Sequence, residues 1–186
     1  ETLAELSQLA GVCLEQALGW LEARQAQELG VPVGRRSGEP QRLVVIGMGK
    51  LGAGELNFSS DIDLIFAYRE QGDCAGGRAS LSNQEYFTAL ARRLINALHA
   101  PTEDGFAFRV DTRLRPFGDS GPLVMGFDAM EEYYQAHGRE WERYAWIKGA
   151  VVAGDRAAGQ RLMAMLRPFI FRRYLDFNTF ESLRVM

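Results

Sequence analysis

Apolar positions recur at intervals of three and four through the first stretch of the chain, where Leu3, Leu6, Ala10, Cys13, Leu14, Ala17, Leu18 and Leu21 form one stripe. That period predicts an amphipathic helix over residues 2–28. Residues 30–41 mix Gly, Pro and Arg and read as a surface loop. Short apolar runs predict a buried strand over 43–47 and a second over 61–68, where Asp61 and Asp63 open the run. Between them lies a glycine-rich segment, Gly47 to Gly54. A loop over 71–82 leads to a helix over 83–99, with Tyr86, Phe87, Leu90, Leu94 and Leu98 on one face. Residues 106–115 alternate polar and apolar and read as a strand, 116–121 as a turn, and 122–125 as a further short strand. Helices are expected over 127–136 and 139–147. Asp155 is placed to cap another that runs to about Leu166, where Pro168 ends or kinks it. Residues 177–186 begin one more helix.

The order is a helix, strands interleaved with helices, then mostly helices. It predicts an α+β fold with a mixed sheet: an N-terminal helix (1–30), a catalytic core (42–126) and a helical extension (127–186). A chain of 186 residues is long enough to bury a core of its own. The net charge of −3 argues against a general nucleic-acid binder, so nucleic acid is not an expected partner. The only two cysteines, Cys13 and Cys74, suggest neither a disulfide framework nor a zinc site, and two histidines are too few for a His-rich metal site. No apolar run reaches membrane-spanning length and no signal-peptide layout opens the chain, so no membrane partner is expected and the cytoplasm is the expected compartment. The chain opens in mid-pattern at Glu1 and stops at Met186 inside an apparent helix, which reads as a segment of a longer protein.

The carboxylates carry the chemistry. Strand side chains alternate faces, so Asp61 and Asp63 point the same way, roughly 7 Å apart. Like charges on one face repel and lose hydration together, and a divalent cation relieves both costs. Hard ions such as magnesium prefer carboxylate oxygens. The strand expected over 106–115 supplies a third acid, Asp111, on a face shared with Arg109, Arg113 and Arg115. Three acids suffice for a two-metal site, and arginine forks suit phosphate oxygens. A lone Asp-x-Asp is equally a solvent-facing strand end, and Arg109 and Arg113 are equally ion-pair partners of Asp111. The specific signal is the combination of glycine turn, Asp-x-Asp strand and later aspartate.

A glycine turn ahead of a helix brings backbone N–H groups close to a phosphate, and Gly49 and Lys50 are the candidates here. The alternative is a structural turn. The segment lacks the Gly-Lys-Ser/Thr ending of a P-loop. Gly47 to Gly52 matches Gly-x-Gly-x-x-Gly as a string, but the acidic partner of a dinucleotide site is missing and the Asp-x-Asp has no role in that fold.

A glycine turn, a spacer over 51–60 and then Asp-h-Asp-h on a strand resembles the polymerase-β-like nucleotidyltransferases, with Lys50 where many members have serine. Gly47-Met48-Gly49-Lys50-Leu51-Gly52, the run Glu55 to Phe66 (which includes Ser59 and Ser60), Arg109 to Pro116 and Ser120 to Val124 are similar to signatures of the bifunctional glutamine synthetase adenylyltransferase/adenylyl-removing family. The resemblance runs from about Leu43 to the C-terminus. Gly138 to Lys148 and Arg167 to Tyr174 resemble that family's N-terminal, adenylyl-removing half. Gly149-Ala150 departs from it, where Ala-Arg is expected.

The resemblance implies removal of AMP from an adenylylated tyrosine of glutamine synthetase by phosphorolysis, giving ADP. It further implies Mg2+ or Mn2+ at Asp61, Asp63 and Asp111. Gly49, Lys50, Ser59, Ser60, Arg113 and Arg115 are then expected at the nucleotide and phosphate, with Arg139, Glu142 and Lys148 lining the site from the helical side. Glutamine synthetase and the PII signalling protein are the implied partners. Adenylylation from ATP uses the same acids and stays open. So does a nucleotide-binding regulatory module without turnover.

Overall fold

The computed structural model describes residues 2–77, 81–103 and 105–171. Helix α1 (Thr2–Leu29) leads into β1 (Val31–Pro32), β2 (Val44–Gly47), the one-turn helix α2 (Gly49–Gly52) and β3 (Ile62–Tyr68). Then come β4 (Cys74–Ala75), α3 (Asn83–His99), β5 (Val110–Asp111), a 3-10 turn at Gly118–Ser120 and β6 (Val124–Gly126). Helices α4 (Phe127–Ala136) and α5 (Glu140–Ile147), strand β7 (Ala150–Gly154) and α6 (Arg156–Ile170) complete the described chain. The fold is α+β with a mixed sheet, as the sequence pattern predicts.

Five strands form the main sheet. Strand β2 lies antiparallel between β3 and β7, and the far edge of β3 carries β5 and β6, both parallel to it. The β2–α2–β3 unit is therefore antiparallel, which rules out the parallel β-α-β crossover of a dinucleotide fold. Both faces of the sheet are covered. Leu43, Val45, Leu64, Phe66 and Tyr68 pack with α1 and α3, while Val44, Ile46, Ile65 and Ala67 pack with α4, Trp146 and α6. This alternation is the period-two pattern of a strand buried on both sides.

The first helix belongs to this core. Ala10, Leu14 and Leu18 are fully buried, and Gln25 Nε2 donates to Tyr86 O of α3 at 2.8 Å. Helix α3 starts on a reciprocal cap, in which Ser82 and Glu85 each bond the other's backbone N–H. Within the stretches expected to be loops, Val31–Pro32 (β1) pairs with Cys74–Ala75 (β4) in a small two-stranded sheet. Asn83 anchors it by donating to Val33 O and Glu70 O, both at 3.0 Å.

Three differences from the sequence pattern bear on the shape of the site. The strand expected over 106–115 shrinks to two residues. Upstream, Ala107 N and Phe108 N donate to Leu98 O at the end of α3; downstream, Arg113 N turns back onto Asp111 Oδ1 at 2.8 Å. Asp111 and Arg115 therefore do not share one strand face. Strand β7 lies in the stretch expected to be helical and joins the central sheet beside β2, so the chain after Gly126 is not a separate helical layer. Helix α6 does not end near Leu166 but runs through Pro168 to Ile170, and Phe171 N still donates to Arg167 O beyond the proline. Its start matches expectation, with Asp155 Oδ1 accepting from Ala158 N at 2.9 Å. The helix expected over 177–186, and Arg172, Arg173 and Tyr174, lie outside the described residues.

Leu14 fills the seam between α1 and the sheet. Leu14→Ala should lower the unfolding free energy by about 2–5 kcal/mol, read from urea denaturation followed by circular dichroism. A change within error would mean that α1 is not part of the cooperative core.

Candidate active site

One end of the sheet gathers the acids. Asp61 and Asp63 flank the start of β3, and β5 pairs with it so that Asp63 stands directly opposite Asp111. Neighbouring strands run about 4.8 Å apart, so this register makes the two carboxylates near neighbours. Helix α3 fixes the register, because His99 Nδ1 accepts from Val110 N at 3.2 Å while Ile62 N donates to Arg109 O at 2.8 Å.

The glycine turn closes over the same spot. Met48 N donates to Asp63 O at 2.9 Å, and Gly49 has φ +53°. A Cβ at Gly49 would stand 3.0 Å from Asp63 Oδ2. Glycine is required here both for the left-handed backbone and for the close approach to a carboxylate. Gly52 is equally constrained, since a Cβ there would collide with the carbonyl oxygens of Lys148 and Gly47. The backbone at Lys148 is thereby pressed against the turn.

Two of the three acids are held by arginines. Arg109 Nε bonds Asp61 Oδ1 and its Nη2 donates to Ser59 O at 2.9 Å. Arg113 grips Asp111 through its Nε, its Nη2 and its own backbone N–H. Sequence alone left both arginines as partners of Asp111, whereas the fold gives one to each acid. The Arg113 guanidinium holds the Asp111 carboxyl below its ordinary range. Asp63 is pushed the other way, first by burial and then by the charges of Asp111 and Asp61. Among the described residues its carboxylate has no hydrogen-bond or ion-pair partner.

The oxygens of Asp61, Asp63 and Asp111 suit a hard divalent cation, and the uncompensated Asp63 is the part that a cation would relieve. Among the described residues, however, no group of three or more metal-ligating side chains is already arranged around one point. Asp61 and Asp111 are instead each engaged by an arginine. Both arginines reach their acids from the solvent side, so a bound cation would compete with them for the carboxylates. In Arg113–Asp111 the arginine side chain is 72% exposed.

The remaining predicted residues divide. Lys50 Nζ donates to Ser60 Oγ at 3.0 Å, and Ser60 in turn bonds Asn57, so these three form one short chain beside the turn. Ser59 contributes its carbonyl to Arg109. Lys148 reaches this edge but pairs with Glu55 at 2.9 Å. Arg139 is exposed at the start of α5. Arg115 and Glu142 are turned inward. The Arg115 side chain is 11% exposed and donates to Thr112 O and Thr112 Oγ1, both at 2.8 Å. It braces the loop after β5, and its charge also favours the ionised form of Asp111. Glu142 is buried, with one oxygen accepting from Tyr133 Oη and the other from Arg139 N, both at 2.8 Å. Of the two tryptophans on α5, Trp146 lies in the core and Trp141 is exposed.

A cavity of about 510 Å³ adjoins the acids on the Arg113 side, bounded by Phe117, Tyr133, His137, Arg139, Trp141 and Glu142. Residues 116–121 read as a plain turn in the sequence, and only Gly118 beside Phe117 hints at its shape. Phe117 has φ +63°, the one positive value at a non-glycine among the described residues. That conformation costs roughly 1–2 kcal/mol. It presents the Phe117 ring at 4.4 Å from the ring of Tyr133.

Among the described residues, no helix is long and apolar enough to cross a membrane. The family model for glutamate-ammonia ligase adenylyltransferase matches residues 1–165. Bifunctional glutamine synthetase adenylyltransferase/adenylyl-removing enzymes are similar over all 186 residues: that of Pseudomonas aeruginosa is 62% identical, that of Nitrosococcus oceani 65% and that of Pseudomonas putida 59%. The chain spans about a fifth of the length of these relatives, 19% in each case.

The raised Asp63 carboxyl carries a signed consequence for stability. With its folded pKa above the unfolded value, the folded state binds more protons between the two, so stability falls as pH rises through that window. The penalty is fully present at neutral pH. Asp63→Asn should therefore raise the urea midpoint at pH 7 in buffer containing EDTA, and the gain should vanish as pH falls below the ordinary aspartate range. A variant less stable than wild type at pH 7 would mean that Asp63 is not electrostatically strained.

Proposed function

The chain belongs to the glutamate-ammonia ligase adenylyltransferase family, and on that footing we propose that it removes AMP from an adenylylated tyrosine of glutamine synthetase by phosphorolysis. The observation that carries the reading is the register of β3 with β5, which sets Asp63 against Asp111 next to the Gly49 turn. Direction rests on the segment Gly138 to Lys148, whose sequence resembles the removing half of the family. Glutamine synthetase is the proposed substrate because the relatives are named for acting on it.

Asp61, Asp63 and Asp111 would hold magnesium or manganese. When bound, such an ion supplies positive charge to the phosphoryl oxygens, which lowers the cost of the charge that builds up there. The protein's own part is positioning. Phosphate attacks the α-phosphorus, a new P–O bond forms, and the bond to the tyrosine oxygen breaks. The products are ADP and a tyrosine side chain, whose oxygen takes up the proton that the attacking hydrogenphosphate gives up. The Arg113 guanidinium is exposed, and it would turn toward a phosphate oxygen once a cation takes over the Asp111 carboxylate. Lys50 stands next to the turn, with Ser60 as its only tether among the described residues. Arg115 and Glu142 act indirectly, by holding the 112–121 loop and the start of α5.

Two assays test this. The doubly substituted chain, Asp61→Asn with Asp63→Asn, should keep its circular dichroism spectrum and lose AMP release from adenylylated glutamine synthetase by at least about a thousand-fold. Release at the normal rate would remove the acids from the mechanism. Wild type given adenylylated protein plus phosphate should form ADP. If it instead incorporates AMP from ATP into unmodified protein, the forward direction is the correct one.

A further inference from the structure

The cavity beside Arg113 is lined by an unusual set of side chains. Phe117 is 51% exposed and Trp141 42% exposed, so two large rings face solvent around one hollow. The strained backbone at Phe117 is what turns its ring there. Tyr133 is fixed from behind by its bond to the buried Glu142, and its ring lies 6.1 Å from that of His137. Phe117 and His137 are 6.0 Å apart. Trp141 has no aromatic partner among the described residues. The rim is polar, with His137 and Arg139 on the helical side and Ser120 on the other.

We propose that this cavity takes the purine ring of the adenylyl group, with Trp141 and Phe117 as stacking surfaces and His137 and Arg139 facing the ring's edge. The proposal rests on the nucleotidyl-transfer reading. A volume of about 510 Å³ fits a small-molecule site. Aromatic faces suit a flat ring. A purine also presents several nitrogens along its edge, and the polar rim answers them. The tyrosyl ring of the protein substrate is a poorer match, because its single polar atom is the reacting oxygen and must lie at the acids. Arg113 links the two sites: it lines the cavity and holds Asp111, so a base seated here directs its phosphate toward the carboxylates.

Calorimetric titrations in magnesium buffer with AMP and with ribose 5-phosphate test the assignment. Wild type should bind AMP at least roughly ten-fold more tightly than ribose 5-phosphate, the difference being the contribution of the base. Trp141→Ala and His137→Ala alter exposed side chains, and circular dichroism will verify their folding. Trp141→Ala should bring the two ligands within about two-fold of each other while leaving ribose 5-phosphate binding unmoved, and His137→Ala should narrow the gap in the same direction. Equal binding of the two ligands by wild type overturns the proposal. A preference for AMP that survives intact in both variants overturns it too, but leaves the nucleotidyl-transfer reading standing. Failure of wild type to bind either ligand sinks both.

Discussion

Repulsion among Asp61, Asp63 and Asp111 is the constraint around which this end of the molecule is organised. Two unit charges about 4 Å apart near a protein surface cost roughly 4 kcal/mol at an effective dielectric of about 20. The fold brings Asp63 and Asp111 into direct register and still stands, because two arginines neutralise two of the three acids. The third is left uncompensated and bears the strain as a raised proton affinity. Such an arrangement is poor as architecture and good as a receptor for positive charge. Its arginines balance the acids from the solvent side, with guanidiniums that stay largely exposed.

The rest of the structure serves to hold that register. Strand β3 is buried on both faces, which removes any freedom for it to slip by one residue and turn its aspartates into the core. Helix α1 packs on α3 and on β7, and α3 in turn pins β5 through Leu98 and His99. The route from the N-terminal helix to Asp111 is thus a chain of packed elements.

Much of this was legible in the sequence. Periodicity located β2, β3 and the four long helices that bear on the core, because their apolar residues repeat at helical or strand spacing. The strand that carries Asp63 was legible too, whereas the pairing of Asp63 with Asp111 came from the fold. Strand β7 was not, since the four apolar residues between Gly149 and Gly154 carry no period that distinguishes strand from helix. The roles of Arg115 and Glu142 were hidden for another reason. A charged residue near a motif looks alike whether it faces a ligand or a carbonyl, and only tertiary packing turned these two inward. The cavity was invisible because Phe117 lies in a left-handed turn that no propensity favours for phenylalanine.

Strands β5 and β6 lie along the same edge of β3, one opposite Ile62 and Asp63 and the other opposite Phe66 to Tyr68. The chain leaves that edge after Asp111 and rejoins it at Val124. The intervening loop bears Arg113 and Phe117, yet both its ends are bolted to a rigid sheet. Insertions or deletions within it would leave the strand ladder untouched and reshape only the mouth of the site. Divergence among descendants of this fold thus has a natural outlet, in which the cavity mouth can drift while the sheet beneath it is inherited unchanged.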